Sequence, residues 1–537
     1  MNFLLLLCAF GIFTCIAGSH LSRRLGIPTL FIFIALGMLF GSDGIFKIEF
    51  ADYHLAEQIC SAALVIIMFY GGFGTKWSAA RPVAVQSVLL STLGVLITAG
   101  LTGLFCYFAL NLPLLEGLLI GAVLGSTDAA SVFSILRSKQ LNLKYNTASM
   151  LEIESGSNDP FAYMLTMILL FAMGDSLSLV QIIGTIFSQI FVGLAAGSLI
   201  AWTAGIIMKH VHFGENGLDS IFLAGTALAS YAIPSLLGGN GYLSAYLAGI
   251  LLGNNQEIPG KKGLVNFFDA LNGMMQMLIF FLLGLLVFPS QLGTYFLPAL
   301  MTASFLSFIA RPAAVFLLLS PFKAPFCQKL LVSWTGLRGA ASIVFAITAA
   351  VSPNYGSDTV FHIVFCVVLL SILLQGSLLP FAAAKTSMLD GNENVLKTFT
   401  DYSEETGVQF ISLELGPKHP WINCRIQDVS ITPGLLIAAV LRDHTAIMPR
   451  GDTCLKAGDS LIVAAKEYKG NADVELGEVE VTDGSHLVGM RLKDADIRKN
   501  SLVVLIQRQN SELIPDGDTI LRSGDILVLY SSHTGCI

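Results

Sequence analysis

The stretch Leu151-Glu152-Ile153-Glu154-Ser155-Gly156-Ser157-Asn158-Asp159-Pro160 puts a carboxylate deep inside a long apolar segment. An ionised group there is costly unless it binds something, so Asp159 reads first as a ligand for a small cation and for a proton. Ser155 lies one helical turn earlier. The i, i+4 spacing puts its hydroxyl and the Asp159 carboxylate on one face, as hard oxygen ligands of the kind that suit a small cation. Pro160 has no N–H, which frees the carbonyl of Gly156 to kink the helix, bind water or face an ion. The rival reading is a satisfied buried acid that only ties helices together.

Two further segments carry chemistry. In Gly125-Ser126-Thr127-Asp128-Ala129-Ala130-Ser131, and again in Thr335-Gly336-Leu337-Arg338-Gly339-Ala340-Ala341-Ser342, helix-weakening residues interrupt apolar runs. Such breaks survive in lipid only where they face protein or a water-filled cavity. Paired discontinuous helices of this kind belong to secondary transporters, with the binding site where they cross. Asp128 is either a cation ligand or the cap of a half-helix N-terminus, and the two roles are compatible. Glu154 and Arg338 lie at similar depths, about 10 to 12 Å from the cytoplasmic face at the helical rise, so they are expected to form a buried scaffold ion pair. Asp159, by the same rise, lies roughly 18 Å deep. Arg311, before Pro312, is a third buried cation, expected to balance Asp128 or line the cavity.

The elements that position these residues follow from composition. Of 537 residues 54% are hydrophobic and 12% charged, the balance of a polytopic membrane protein rather than an enzyme or a nucleic-acid binder. Residues 1–390 hold 16 basic and 16 acidic residues and residues 391–537 hold 14 and 21, so the net charge of −7 lies in the tail. Before the boundary, apolar runs long enough for a bilayer of roughly 30 Å recur about thirteen times. The broken segments fall in the fifth and twelfth of them. That odd offset would run the two in opposite directions through the membrane, the mark of an inverted repeat. The first run, from about residue 2 to 18, lacks a small-residue cleavage signal and reads as a span. Odd-numbered connections carry Arg23, Arg24, Lys76, Arg81, Arg137, Lys139, Lys144, Lys209, Lys261, Lys262, Lys323, Lys329 and Lys385; even-numbered ones carry only Lys47. The positive-inside rule then predicts an N-terminus outside and a cytoplasmic tail. Nine cysteines are scattered singly, as core filler.

The motifs Gly125-Ser126-Thr127-Asp128-Ala129-Ala130, Glu154-Ser155-Gly156-Ser157-Asn158-Asp159-Pro160, Gly241-Tyr242-Leu243-Ser244-Ala245-Tyr246-Leu247-Ala248-Gly249 and Gly336-Leu337-Arg338-Gly339-Ala340 together resemble the NhaP-type monovalent cation/proton antiporters. The resemblance spans the membrane region. It implies an all-α fold with inverted repeats and crossed broken helices, and a homodimer whose protomers each join a dimerisation part to a six-helix core. It also implies Asp159 as principal ion and proton ligand with Thr127, Asp128 and Ser155 around it. Asn158, in the Asn-Asp form, implies electroneutral exchange. The chain departs from many relatives at Phe69-Tyr70-Gly71-Gly72, where Tyr70 replaces an acid and leaves ion preference open.

The tail repeats itself. Pro449, Gly451-Asp452-Thr453, Leu455 and Gly458-Asp459 recur 66 residues later as Pro515, Gly517-Asp518-Thr519, Leu521 and Gly524-Asp525, and Arg442 recurs as Arg508. Alternating strands at Leu435 to Val440 and Leu502 to Ile506 mark two small α+β units. They resemble the C-terminal domains of TrkA and RCK potassium-transport regulators. That resemblance implies a small-molecule regulator, a nucleotide or cyclic dinucleotide; the alternative is a pair of dimer tethers. The expected domains are a transmembrane exchanger (1–390), a linker (391–405) and two RCK-C-like domains (406–470 and 471–537). The expected activity is K⁺ or Na⁺ exchange for H⁺ across a bacterial plasma membrane, with no cofactor. A channel or a symporter is the alternative, although no T-V-G-Y-G filter occurs; a primary pump is a further rival, but no G-x-x-x-x-G-K-[ST] loop is present to hold ATP phosphates.

Overall fold

In a computed structural model, the described residues are 10–20, 28–48, 50, 52–75, 77–138, 143–174, 178–211, 217–255, 258, 261–389, 408–416, 419–429, 435–442, 445–466, 476–481, 485, 487–495, 501–508, 511–513, 515 and 517–531. The start of the first expected span and the linker lie outside them. The chain divides into two compact units, Met1–Glu393 and Asn394–Ile537.

The first unit is built of helices, because in hydrocarbon each apolar run must pair its backbone within itself. They are α1 (Phe10–His20), α2 (Thr29–Phe40), α3 (Tyr53–Gly74), α4 (Arg81–Ala109), α5 (Leu114–Val123), α6 (Ala129–Ser138), α7 (Thr147–Gly174) and α8 (Leu179–His210). There follow α9 (Leu218–Leu236), α10 (Gly241–Asn254), α11 (Lys261–Leu286), α12 (Pro289–Leu319), α13 (Phe326–Trp334), α14 (Ala340–Val351) and α15 (Thr359–Lys385). Six helices among the described residues are long and apolar enough to cross a membrane: α3, α4, α12, α15 and the greater parts of α8 and α11.

Local sequence sets the helix ends. Asp52 caps α3 by accepting from the Leu55 N–H at 2.9 Å, and Ser178 and Gln181 form a capping box at α8. Pro312 and Pro380 each follow a π-helical stretch, Leu306–Ala310 and Ser371–Gly376. A proline ring displaces the carbonyl four residues back, and a wider turn absorbs it. α3 and α10 touch backbone to backbone, since a Cβ on Gly249 would lie 2.2 Å from the Phe69 carbonyl oxygen. The small residues of the α10 motif permit that approach.

The tail folds as two four-stranded antiparallel sheets. In the first, β1 (Val408–Glu414), β2 (Leu436–Arg442), β3 (Thr445–Ile447) and β4 (Ser460–Lys466) take the order β1-β4-β2-β3. In the second, β5 (Leu476–Glu480), β6 (Ser501–Arg508), β7 (Ser511–Leu513) and β8 (Asp525–Ser531) take the order β5-β8-β6-β7, the same topology. Among the described residues the helical part of the expected α+β units is confined to two 3₁₀ turns, Ile426–Asp428 and Leu492–Asp494.

The repeated Arg and Gly-Asp positions form one device twice. Arg442 grips Asp459 with Nε and Nη2, both at 2.7 Å, and Arg508 grips Asp525 at the same two distances. Each carboxylate also accepts a backbone N–H, from Lys456 and Arg522, at 2.8 Å. The arginine hydrogen bonds hold both carboxyls below the ordinary Asp range, with the backbone N–H adding to the effect. A carboxyl depressed in the folded state stabilises the fold above its unfolded pKa and loses that contribution as pH falls through the folded value. The tail should therefore melt at a lower temperature below about pH 4. Arg442→Ala should lower its melting transition near neutrality and have little effect in acid, which calorimetry on the purified protein would read.

Candidate cation-binding site

The two sequence breaks are real and they meet. α5 ends at Val123 and α6 begins at Ala129, while α13 ends at Trp334 and α14 begins at Ala340. The Asp128 N–H donates to the Leu337 carbonyl at 2.8 Å, joining one break to the other. Gly339 is there because the breaks are so close: a Cβ would sit 2.2 Å from Asp128 Oδ2. The carbonyls of Gly125 and Ser126, orphaned by the end of α5, accept from Arg338 Nη1 at 3.2 and 2.7 Å. The Arg338 N–H donates to Ser371 Oγ at 3.1 Å.

α7 packs its polar face on this junction. Asp159, 4% exposed, accepts from Ser126 Oγ at 2.5 Å. Ser155 Oγ donates to the Thr127 carbonyl at 2.7 Å. Asn158, wholly buried, donates from Nδ2 to Thr127 Oγ1 at 2.5 Å and accepts the Thr127 N–H at 3.3 Å. Asp128 accepts from the Ser131 N–H at 3.1 Å and from its hydroxyl, capping α6. Pro160 sits inside a continuous α7, and its carbonyl accepts from Asn240 Nδ2 at 2.8 Å.

A cavity of about 480 Å³ reaches this cluster, lined by Ser126, Thr127, Asp128, Ser155 and Asp159 at one end and by Glu152 and Asp269 nearer the helix ends. Tyr70 is on its wall and donates to Asp269 Oδ1 at 2.9 Å. The structure thus brings Thr127, Asp128, Ser155, Asp159 and Tyr70 to one space. Asn158 stands behind it, fixing the backbone of Thr127. Among the described residues no basic side chain forms an ion pair with Asp159.

The expected Glu154–Arg338 pair is corrected. Glu154 instead lies against Arg311, with Nη1 2.5 Å from Oε1 and side-chain exposures of 5% for the arginine and 1% for the acid. Arg338 turns to the orphaned carbonyls of the first break, which leaves Glu154 to the cation on α12. Arg311 therefore neither lines the cavity nor faces Asp128 as its partner. Sequence reasoning missed Ser126 as the hydrogen-bond donor to Asp159, although it lies in the quoted motif. It also missed Asp269, whose signal was a lone acid in the apolar run of α11.

A buried carboxylate and hydroxyls at the junction of two broken helices, open to a cavity, define a secondary carrier of small cations. The chain belongs to the sodium/hydrogen exchanger family: the description "Sodium/hydrogen exchanger, transmembrane" matches residues 10–385, and the TrkA-C domain matches residues 410–467 and 476–535. Within that family it is an NhaP-type cation/proton antiporter with a TrkA-C tail. The K(+)/H(+) antiporter NhaP2 of Shewanella sp. (strain MR-4) is 38% identical over 459 residues, 84% of this chain and 79% of that protein. The K(+)/H(+) antiporter NhaP of Alkalimonas amylolytica is 35% identical over 460 residues, with the same coverage. The solved structure of the sodium proton antiporter MjNhaP1 from Methanocaldococcus jannaschii at pH 8 superposes with a TM-score of 0.62 at 26% identity, over 70% of this chain and 99% of that one.

Proposed function

We propose that the protein exchanges K⁺ or Na⁺ for H⁺ electroneutrally across a bacterial plasma membrane, with Asp159 as the shared ligand. The observation that carries this is a buried carboxylate with a hydroxyl donor, with no ion-paired base among the described residues, and a cavity that it lines. A desolvated carboxylate needs either a proton or a cation. Thr127 and Ser155 add oxygen ligands, Asp128 adds charge and caps α6, and Asn158 holds the first break in shape. Because one carboxylate takes one proton or one monovalent cation, competition couples the two flows one for one. Relatives named as K(+)/H(+) antiporters favour K⁺.

We read the α5–α6 and α13–α14 pairs as one broken span each. That gives about thirteen spans, arranged as inverted repeats, with the N-terminus outside and the tail in the cytoplasm. The proposed domains are 1–390, a linker at 391–405, and tail domains at 406–470 and 471–537. The tail is proposed to pair in a homodimer and to gate exchange by binding a nucleotide or cyclic dinucleotide.

In sealed vesicles, an imposed K⁺ gradient should drive an opposite pH change that a voltage clamp by ionophore does not alter. Comparison of K⁺, Na⁺ and Li⁺ from mildly acidic to alkaline pH fixes selectivity. Truncation after Leu389 should change the pH profile. Uncoupled current, or co-directional flux, would replace exchange by a channel or a symporter.

A further inference from the structure

Asp159 lines the cavity, and polar residues continue beyond it along α3 and α7. α3 turns Leu64, Ile67, Met68, Gly71 and Gly74 to the cavity. The same helical stripe continues past it, three and seven residues back, as Ser61 and Glu57. Ser61 Oγ donates to Glu57 Oε1 at 3.0 Å. On α7, the residue one turn beyond Asp159 on the same face is Tyr163.

Tyr163 belongs to a cluster of phenols from three helices. Its ring lies 4.9 Å from that of Tyr242 on α10, edge to face, and Tyr242 lies 4.8 Å from Tyr231 on α9. Phe345 of α14 closes the group, 5.6 Å from Tyr163 and 6.0 Å from Tyr242. The ring of Tyr242 thus joins Tyr163 to Tyr231, and Glu57 is within electrostatic reach of Tyr163 and Tyr231. Tyr242 is 1% exposed and Glu57 half-buried. By helical spacing, polar side chains therefore succeed one another from Asp159 through the phenols to Ser61 and Glu57, toward the N-terminal end of α3.

A set of phenols serving only to pack helices would need no such alignment with the ion ligand, and no half-buried acid at its far end. We propose that this seam is the closed far half of the ion path. Tyr163, Tyr231 and Tyr242 form the plug that seals Asp159 from the far side in this inward-cavity state, and Glu57 is the group that first takes up the cation or proton when the plug opens. The inference rests on Asp159 being the ion ligand. Each phenol hydroxyl removed weakens the closed plug and shifts the protein toward the far-open state.

Cys60 provides a native reporter. It lies on α3 beside Ser61 and is wholly buried, as is Cys106 on α4, which is remote from the seam and serves as the reference for general loosening. The test uses the full chain in vesicles of known orientation, a membrane-impermeant maleimide on the far side, and peptide mass spectrometry at both cysteines. In Tyr231→Phe and Tyr242→Phe, Cys60 labelling should rise about three- to tenfold, the equilibrium shift expected when one buried hydroxyl loses its polar surroundings, with Cys106 unchanged. The KM for the cation should fall on the far side and rise on the cavity side. Glu57→Gln should raise the far-side KM alone. Labelling that stays at the wild-type rate, rises equally at both cysteines, or comes with KM changes of the same sign on both sides overturns the proposal. Exchange persisting in Asp159→Asn would remove the ligand reading instead, and the Cys60 comparison would still decide the plug.

Discussion

Asp159→Asn is expected to bring cation-driven proton movement in vesicles down to the protein-free leak, with no loss of folded protein. The amide has the shape of the carboxylate and can still accept the Ser126 hydroxyl at the 2.5 Å contact. It can neither take up a proton nor balance a cation. With the Asp159 charge gone, the Asp128 carboxylate that caps α6 is left as the acid at this cluster, and a cation without its principal ligand carries a desolvation penalty of several kcal/mol, which corresponds to a loss of more than about a hundredfold in occupancy. Stability should hold or rise, because a neutral amide is less costly to bury than a charged group. Loss of exchange together with a lower melting temperature would mean that Asp159 serves the scaffold. Exchange above the leak would mean that the carried ion binds elsewhere.

Much of this site was legible in the chain because the membrane makes polar residues conspicuous. Asp159 and Ser155 stood out as a carboxylate and a hydroxyl one turn apart in an apolar run, and the Gly, Ser, Thr and Asp residues of the two breaks could not sit in unbroken lipid-facing helices. The tail repeat was legible because identical spacing imposes an identical turn and ion pair, and the two sheets share one strand order. The partner of Glu154 was not legible. Counting residues along a helix gives depth in the membrane but not which neighbouring helix a side chain meets, so the depth match of Glu154 with Arg338 did not reveal Arg311. What separated them was the need of the Gly125 and Ser126 carbonyls for a donor, a demand that arises only when α5 and α13–α14 are brought together. Asp269 was missed for a similar reason. It lies far from the other site residues in sequence, and only the packing of α3 against α11 brings it to Tyr70.

The reassigned ion pair makes the second large prediction. Glu154 and Arg311 are almost wholly buried, so removing either partner leaves a charge in a low-dielectric interior. Glu154→Ala or Arg311→Ala should cost about 3 to 5 kcal/mol, enough to collapse yield and melting temperature in detergent. The double variant Glu154→Met with Arg311→Met should recover most of that loss, since two apolar side chains of similar volume remove both desolvation penalties together. Glu154→Met combined with Arg338→Met should not recover it. Arg311 would remain without its carboxylate, and the carbonyls of the first break would lose their donor as well. A thermal-melt double-mutant cycle therefore separates the assignments: a large coupling between Glu154 and Arg311 and a small one between Glu154 and Arg338 supports the geometry, and the reverse order refutes it. The outcome also bears on how the site is held. Arg311 Nε lies 3.1 Å from where a Cβ on Gly336 would be, so the pair that anchors α7 to α12 also braces the second break against the ion-carrying helix.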